Sequence, residues 1–112
     1  ITGKQDTGGI KIIGDDISKK REEITYLRVI DLANDIQQEI VLANEANPGY
    51  YRTFSLPSKI GTYDYSILTE GNTLVIKTKK YTYSVEAPIF FGEIKKGTNK
   101  IKKESGSIAV NY

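Results

Sequence analysis

Residues 17–46 read ISKKREEITYLRVIDLANDIQQEIVLANEA and decide the fold, because this stretch contains neither glycine nor proline. Apolar side chains recur in it at steps of three and four residues, the spacing that places side chains on one face of an α-helix. We therefore predict one long amphipathic helix that packs through this face. The predicted packing stripe consists of Val29, Leu32, Ala33, Ile36, Ile40 and Ala43. The opposite, solvated face carries Arg28, Asp31, Asp35, Gln38 and Glu45.

The flanking residues predict a helix over 16–46. Asp15 and Asp16 follow a glycine, and acidic side chains there can cap a helix and interact favourably with the positive end of its dipole. At the other end, Asn47-Pro48-Gly49 stops the helix, because the residue before a proline avoids helical angles and glycine favours a turn. A helix of about 30 residues is about 45 Å long. We expect part of it to project beyond a domain of this size.

After residue 49, apolar and polar residues alternate, which is the period of β-strands. Short turn sequences separate these stretches, as antiparallel pairing requires. We predict an α+β fold in which the long helix packs on an antiparallel β-meander of about six short strands. Six strands are predicted at 50–56, 63–67, 74–78, 81–85, 100–103 and 108–112, and 89–94 is a candidate for an additional edge strand. The predicted turns are Glu70-Gly71-Asn72, Lys79-Lys80, Gly97-Thr98-Asn99 and Ser105-Gly106.

Residues 1–14 are polar and rich in glycine, and they are predicted to be a flexible lead-in with a short extended piece at Ile10, Ile12 and Ile13. Residues 15–112 are predicted to form a single domain, because a chain of this length supports one core. No apolar run reaches the roughly 18 residues that a membrane-spanning helix needs.

The composition argues against catalysis. The 112-residue chain has no His, Cys, Met or Trp, and its formal net charge is +2. Without imidazole or thiol groups, the usual zinc sites, thiolate enzymes and serine triads are excluded. The pairs Asp15-Asp16 and Glu22-Glu23 point in different directions on a helix, and no calcium-binding loop follows them. We therefore predict a non-enzymatic protein without catalytic residues, metal or cofactor, and its near-balanced charge does not favour nucleic acid as a partner.

Two groups of side chains are candidates for contact with a partner. Tyr50 and Tyr51 follow the helix stop, and a phenol ring offers apolar area with a polar tip. The alternative is that the tyrosines fill core or half-buried sheet positions. Lysines cluster near Phe90 and Phe91, as in a surface that binds an anionic polymer, although lysine on edge strands also prevents aggregation. The clustered lysines are Lys95, Lys96, Lys100, Lys102 and Lys103.

Three passages carry a resemblance to a known family. They are EIVLANEANPGYYRTFSLPSKIGTYDYSI at 39–67, NTLVIKTKKYTYSVEAPI at 72–89 and KKGTNKIKKESGSIAVN at 95–111. In this order they resemble small archaeal type IV pilin-like proteins that are made with class III signal peptides, and the resemblance covers residues 16–112. It implies an extracellular sheet domain carried on a helix whose N-terminal part spans the membrane or forms a filament core.

The resemblance implies a non-enzymatic structural protein of the cell surface, either a pilin-like filament subunit or a filament accessory protein such as a minor pilin. Its partners would be copies of itself, related pilins or the cell envelope, and the family supplies no catalytic residues. Residues 1–14 depart from the family pattern, because they are polar and lack a processing site and an apolar helix. Membrane attachment is expected only through an N-terminal anchor absent from this chain. The alternative is a stand-alone extracellular adhesion or binding module that recognises a glycan or an envelope protein.

Overall fold

The computed structural model describes residues 13–112, with side-chain surroundings from Lys20 onward. Most of the predicted lead-in, residues 1–12, lies outside the described residues, together with most of the extended piece predicted there. The first element is a long helix, α1, which spans Ile13–Glu45. The last two residues of the predicted lead-in are therefore helical.

Helix α1 begins earlier than predicted and ends close to the predicted position. Asp15 and Asp16 lie within its first turn rather than capping it. An acidic residue in the first turn has the same favourable interaction with the helix dipole, so the sequence does not distinguish the two positions. The helix ends at Glu45, before Asn47-Pro48-Gly49, and Gly49 has a φ of 98°. All six residues of the predicted packing stripe are buried.

Residues 46–112 contain six strands, which form two separate antiparallel sheets. Sheet 1 has the strand order β1-β5-β6, and sheet 2 has the order β2-β3-β4. The predicted α+β class, with one helix packed on antiparallel strands, is confirmed, whereas the predicted single meander is wrong. The strands are β1 Tyr51–Leu56, β2 Ser66–Glu70, β3 Thr73–Lys77, β4 Thr82–Glu86, β5 Gly97–Glu104 and β6 Ser107–Val110.

The two sheets are separate because β1 pairs with a strand that is distant in sequence. Leu56 at the end of β1 pairs with Gly97 at the start of β5, so the whole of sheet 2 lies between these two residues in the chain. Strands β2, β3 and β4 pair with their sequence neighbours through short turns. Alternation along a strand indicates which side it buries, and it carries no information about which strand lies beside it.

Two local predictions in the C-terminal part are also wrong. Gly97-Thr98-Asn99 is the start of β5 rather than a turn, and it pairs with the end of β1. The Asn99 side chain forms hydrogen bonds with the Lys95 backbone in the preceding loop, so it stabilises that loop and not a turn at its own position. Residues 89–94 do not form a strand. Phe91 makes one isolated parallel bridge with Ala109 of β6.

Tyr63 and Tyr65, predicted as strand residues, precede β2 in a loop. The Tyr65 ring is buried, and its hydroxyl donates a hydrogen bond to the Pro57 carbonyl at 2.5 Å. This burial raises the pKa of Tyr65. Lys96 Nζ lies 4.5 Å from the centroid of the same ring. The alternation of Tyr63 and Tyr65 therefore does not mark a strand, and the Tyr65 ring is instead buried beneath loop residues that include Pro57 and Lys96.

The core lies between α1 and both sheets. One cluster of buried side chains joins the packing stripe of α1 to Leu74 and Ile76 of sheet 2 and to Ile101, Ile108 and Val110 of sheet 1. Helix α1 contacts β3 and β4 as well as β5 and β6. Burial of each large aliphatic side chain contributes about 1.5–3 kcal/mol. The helix therefore holds the two sheets in one structure.

Lys103 of β5, predicted as a partner contact, is instead buried beside the end of α1. Its exposed fraction is 9%. Its Nζ donates hydrogen bonds to the carbonyl of Asn44 at 2.5 Å and to the carbonyl of Ala46 at 3.2 Å. The last turn of α1 contains no basic residue. Lys103 therefore supplies both the hydrogen bonds and the positive charge that stabilise a helix C-terminus.

We expect Lys103→Met to lower the free energy of unfolding by about 2–3 kcal/mol, because hydrogen bonds from a charged donor are lost and two carbonyls are left without this partner. Methionine keeps most of the apolar stem, so the change isolates the ammonium group. Lys77→Met, at an exposed position of β3, is the control and should have an effect of less than about 0.5 kcal/mol. Urea unfolding followed by circular dichroism measures both. Equal losses in the two variants would rule out the capping role.

Candidate functional site

The most exposed aromatic side chains lie on the outer face of sheet 1, the face turned away from α1. The register places Tyr51, Lys102, Ala109 and Phe91 in one row across the sheet. Their neighbours along β5 and β6 are buried, so this row points outward. Tyr51 is 57% exposed and Phe91 is 67% exposed. Three strand spacings separate these two residues, a distance of about 14 Å.

Two lysines and the C-terminal tyrosine complete this surface. Lys102 Nζ lies 4.1 Å from the centroid of the Tyr112 ring, and Lys100 Nζ lies 5.3 Å from it. Both distances are within the range of cation–π attraction. Lys102 also forms an ion pair with Glu104 at 2.5 Å. We name this surface the aromatic-lysine face, and it consists of Tyr51, Phe91, Lys100, Lys102 and Tyr112.

The structure brings together on this face only part of the predicted contact residues. Tyr50 is half-buried and packs against the core, and Lys103 is buried at the helix end. Lys95 and Lys96 are exposed in the loop before β5. The predicted contacts that lie on the aromatic-lysine face are Tyr51, Lys100 and Lys102.

Phe91 and Tyr112 also belong to the face. The sequence places Phe91 near the lysines as part of a possible polymer-binding surface, whereas it gives no signal for Tyr112. Phe91 reaches it through a parallel bridge to β6, which no alternation pattern indicates. Tyr112 follows β6 and lies against lysines of the neighbouring strand. One signal for Phe91 was present in the pair Phe90-Phe91. Successive residues of an extended chain point to opposite sides, and Phe90 is the one that packs against the core.

A second exposed surface lies on α1, opposite its packing stripe. Eight residues recur there at steps of three and four, and all eight are exposed. Near the start of the helix this surface is apolar, because Ile24 is 49% exposed and Leu27 is 57% exposed. Near the end of the helix it is acidic around one exposed leucine. We name it the outer stripe, and its members are Lys20, Ile24, Leu27, Asp31, Asp35, Gln38, Leu42 and Glu45.

A third cluster fastens the β3–β4 turn to α1. The Glu22 carboxylate accepts a hydrogen bond from Lys80 Nζ at 3.1 Å, and the Glu22 carbonyl accepts one from the Tyr81 hydroxyl at 3.2 Å. The rings of Tyr26 and Tyr81 lie 5.3 Å apart. The hydrogen bond to Glu22, together with its negative charge, raises the pKa of Lys80. Desolvation raises the pKa of Tyr81, and the charge of Glu22 adds to this effect. The contacts of this cluster join two elements of the fold.

Among residues 20–112, whose side chains the structure describes, no cluster of three or more acidic side chains is arranged to hold a metal ion. No helical segment within that range combines the length and the apolar character needed to cross a lipid bilayer.

Comparison of the chain with protein-family models, with curated proteins and with solved structures gives no match. The two exposed surfaces, the aromatic-lysine face and the outer stripe, are the candidates for contact with a partner.

Proposed function

We propose that this chain is the headpiece of a pilin-like structural protein of the cell surface, a filament subunit or a filament accessory protein without enzymatic activity. The support is the resemblance of residues 16–112 to archaeal type IV pilin-like proteins, together with a long helix that carries two sheets. On this proposal the protein is extracellular, and its partners are copies of itself, related pilins or the cell envelope.

The exposed apolar part of α1 is the observation that carries the proposal. With 33 residues, the helix is about 50 Å long. From Lys20 to Arg28 only Thr25 is buried, so the sheets cover little of this part. Leu27 is exposed on the outer side of the helix, and Ile24 borders a cleft between α1 and residues 61–63. Exposed apolar side chains on a helix that is already packed on its other side are typical of a helix with a second packing partner.

Packing of this apolar pair against a neighbouring subunit would be favourable but weak. Full burial of a leucine or isoleucine side chain contributes about 1.5–3 kcal/mol. Ile24 and Leu27 are each about half exposed, so on the order of 1 kcal/mol per side chain remains to be gained. Such a contact is weak between free copies and becomes effective when subunits are held side by side, because tethering raises their effective concentration.

The absence of cysteine from the chain allows a direct test by disulfide cross-linking. We propose that the apolar parts of two helices pack side by side about a two-fold axis near Leu27, since only such a symmetric contact brings equivalent residues together. We then expect Leu27→Cys to form covalent dimers on mild oxidation, because the Cβ–Cβ distance comes within the roughly 4 Å that a disulfide needs. Leu68→Cys is the control, since Leu68 of β2 is similarly exposed but lies outside the proposed contact. Non-reducing gel electrophoresis measures the yield of dimer. Equal yields from the two variants, or no dimer from either, would contradict assembly through the helix.

The aromatic-lysine face favours a second candidate, a stand-alone extracellular adhesion or binding module. Its exposed rings provide flat apolar area, and Lys100 and Lys102 provide charge that suits an acidic glycan. On this candidate an acidic oligosaccharide should shift the amide NMR signals of β5, and Tyr51→Ala should abolish the shift. A chain that binds such a glycan and remains monomeric at high concentration would favour the binding module over the filament subunit.

A further inference from the structure

The two exposed surfaces are complementary in charge and lie on opposite sides of the molecule. The aromatic-lysine face is turned away from α1. The outer stripe lies on the exposed side of α1, where Asp31, Asp35 and Gln38 also line clefts between the helix and residues 54–61. Gln37 of α1 donates a hydrogen bond at 2.6 Å to the Glu86 carbonyl of β4 in sheet 2. From Glu39 onward the helix packs on sheet 1. Two polar contacts fix this position. Lys103 of β5 bonds to the Asn44 carbonyl, and Arg52 of β1 pairs with Glu39 at 2.8 Å. In this half of the molecule one side is acidic and the other side is basic.

We infer that the acidic half of the outer stripe, within residues 31–45, binds the aromatic-lysine face of a second copy of this chain. The inference rests on the proposed subunit function and names one of its contacts. Asp31, Asp35 and Glu45 are exposed, and none of them forms an ion pair with another described residue. No lysine or arginine shares the stripe between residues 31 and 45. The stripe is therefore predominantly acidic, with Arg28 and Lys59 in the cleft beside Asp31 and Asp35. The opposite face is basic through Lys100, because Glu104 pairs with Lys102.

Apolar side chains and dimensions also agree between the two surfaces. Leu42 is a large exposed apolar side chain within the acidic half of the stripe, and exposed rings flank the lysines of the opposite face. Residues 31–45 span about 21 Å along the helix axis. The face is about 14 Å wide across the strands, and the length of β5 is about 26 Å for its eight residues. A helix segment of this size fits the face with Leu42 against the rings.

A contact between the aromatic-lysine face of one copy and the outer stripe of the next is heterologous, because it joins two different surfaces. Neither surface is its own complement, so the contact does not close into a two-fold dimer. It continues into an open chain or closes into a ring. The contact uses residues 31–45, so it is separate from the helix contact proposed at Ile24 and Leu27, and the two can act together in one assembly.

Charge reversal tests this contact by complementation. The double variant Lys100→Glu with Lys102→Glu makes both surfaces acidic, and Asp31→Lys with Asp35→Lys makes both predominantly basic. In sedimentation velocity at low ionic strength, each variant alone should associate at least about tenfold more weakly than the unchanged chain. An equimolar mixture should regain association, because the acidic face of one variant meets the basic stripe of the other. About 1 M salt, at which the Debye length is about 3 Å, should weaken association of the unchanged chain.

The matched control is Lys77→Glu with Lys79→Glu, which makes the same charge change on exposed lysines in sheet 2 and the turn after β3. It should leave association unchanged, and thermal unfolding by circular dichroism verifies that every variant is folded. Undiminished association of either charge-reversed variant, or a mixture that does not associate, overturns the contact. If Leu27→Cys still cross-links in that case, the proposed subunit function stands. A monomeric unchanged chain without cross-linking overturns both. If the chain stays monomeric and its aromatic-lysine face binds an acidic oligosaccharide, the ligand of this face is a glycan. This result also overturns the contact between copies.

Discussion

Asn99→Asp should lower the free energy of unfolding by about 3–5 kcal/mol near pH 7, although the two side chains have nearly the same shape. Asn99 is fully buried. Its amide group donates hydrogen bonds to the carbonyls of Lys95 and Gly97, at 2.7 and 3.1 Å. Its oxygen accepts bonds from the Lys95 N–H at 2.9 Å and from Asn111 Nδ2 at 2.8 Å. A carboxylate has no donor and would place a buried negative charge against two carbonyl oxygens.

The effect of this substitution should depend on pH. Burial and the two facing carbonyls raise the pKa of the introduced carboxyl group above its ordinary value of about 3.9. Since the raised pKa favours the neutral form in the folded state, the variant should be closest in stability to the unchanged chain below about pH 4. Its relative stability should fall as the pH rises through the raised pKa. Urea unfolding at several pH values measures this difference.

The control for this prediction is Asn72→Asp. Asn72 is exposed in the turn between β2 and β3, and its replacement should change stability by less than about 0.5 kcal/mol. If Asn99→Asp were as stable as the unchanged chain near pH 7, the hydrogen bonds of Asn99 would not be what orders the loop before β5.

Gly92→Ala should also lower the free energy of unfolding by about 3–5 kcal/mol. Gly92 has a φ of 97°, which side chains other than glycine rarely adopt, and a Cβ atom added there would overlap the backbone carbonyl of Val110. Relief would require this loop to move away from β6. That movement would break the hydrogen bonds from Phe91 N–H to Ile108 O at 2.9 Å and from Val110 N–H to Phe91 O at 2.7 Å.

Gly49→Ala separates the two causes of this effect. Gly49 has a φ of 98°, almost the same as Gly92, and apart from its two neighbours in the chain no residue has an atom within 4 Å of the place where its Cβ would stand. This variant shares the backbone strain without the overlap and should lose only about 1–2 kcal/mol. Urea unfolding of both variants measures the difference. Equal losses would show that the close approach to Val110 does not matter, and that the strands tolerate a shift at this point.

The helix could be predicted from the sequence because its signals are local. The three- and four-residue steps that identified Val29, Ile36 and Ile40 depend only on neighbours within one or two turns. The stop at Asn47-Pro48-Gly49 is likewise a property of adjacent residues. The division into two sheets could not be predicted in this way, because the pairing of β1 with β5 joins residues that are far apart in the sequence.

The candidate site could be predicted only in part, because some of its contacts also join strands whose pairing the sequence pattern does not indicate. Lys103 was grouped with exposed lysines, although it shares a side of β5 with the buried Ile101, and residues two apart on a strand point the same way. The alternation along β5 therefore predicts that Lys103 is buried on the same side as Ile101. By contrast, no local signal relates Tyr112 to Lys100, because that contact follows from the position of β6 beside β5.

The pairing of Leu56 with Gly97 at the end of the β1–β5 ladder makes residues 57–96 an insertion within sheet 1. The two ends of this insertion are paired residues, so they lie about 5 Å apart. A segment that leaves and re-enters a structure at one point can be lengthened, shortened or exchanged while the ladder around it is kept. The exposed turns of sheet 2 can therefore change in length without altering the β1–β5 ladder, whereas Leu74 and Ile76 in the core and the bridge from Phe91 to β6 fix the rest of the insertion.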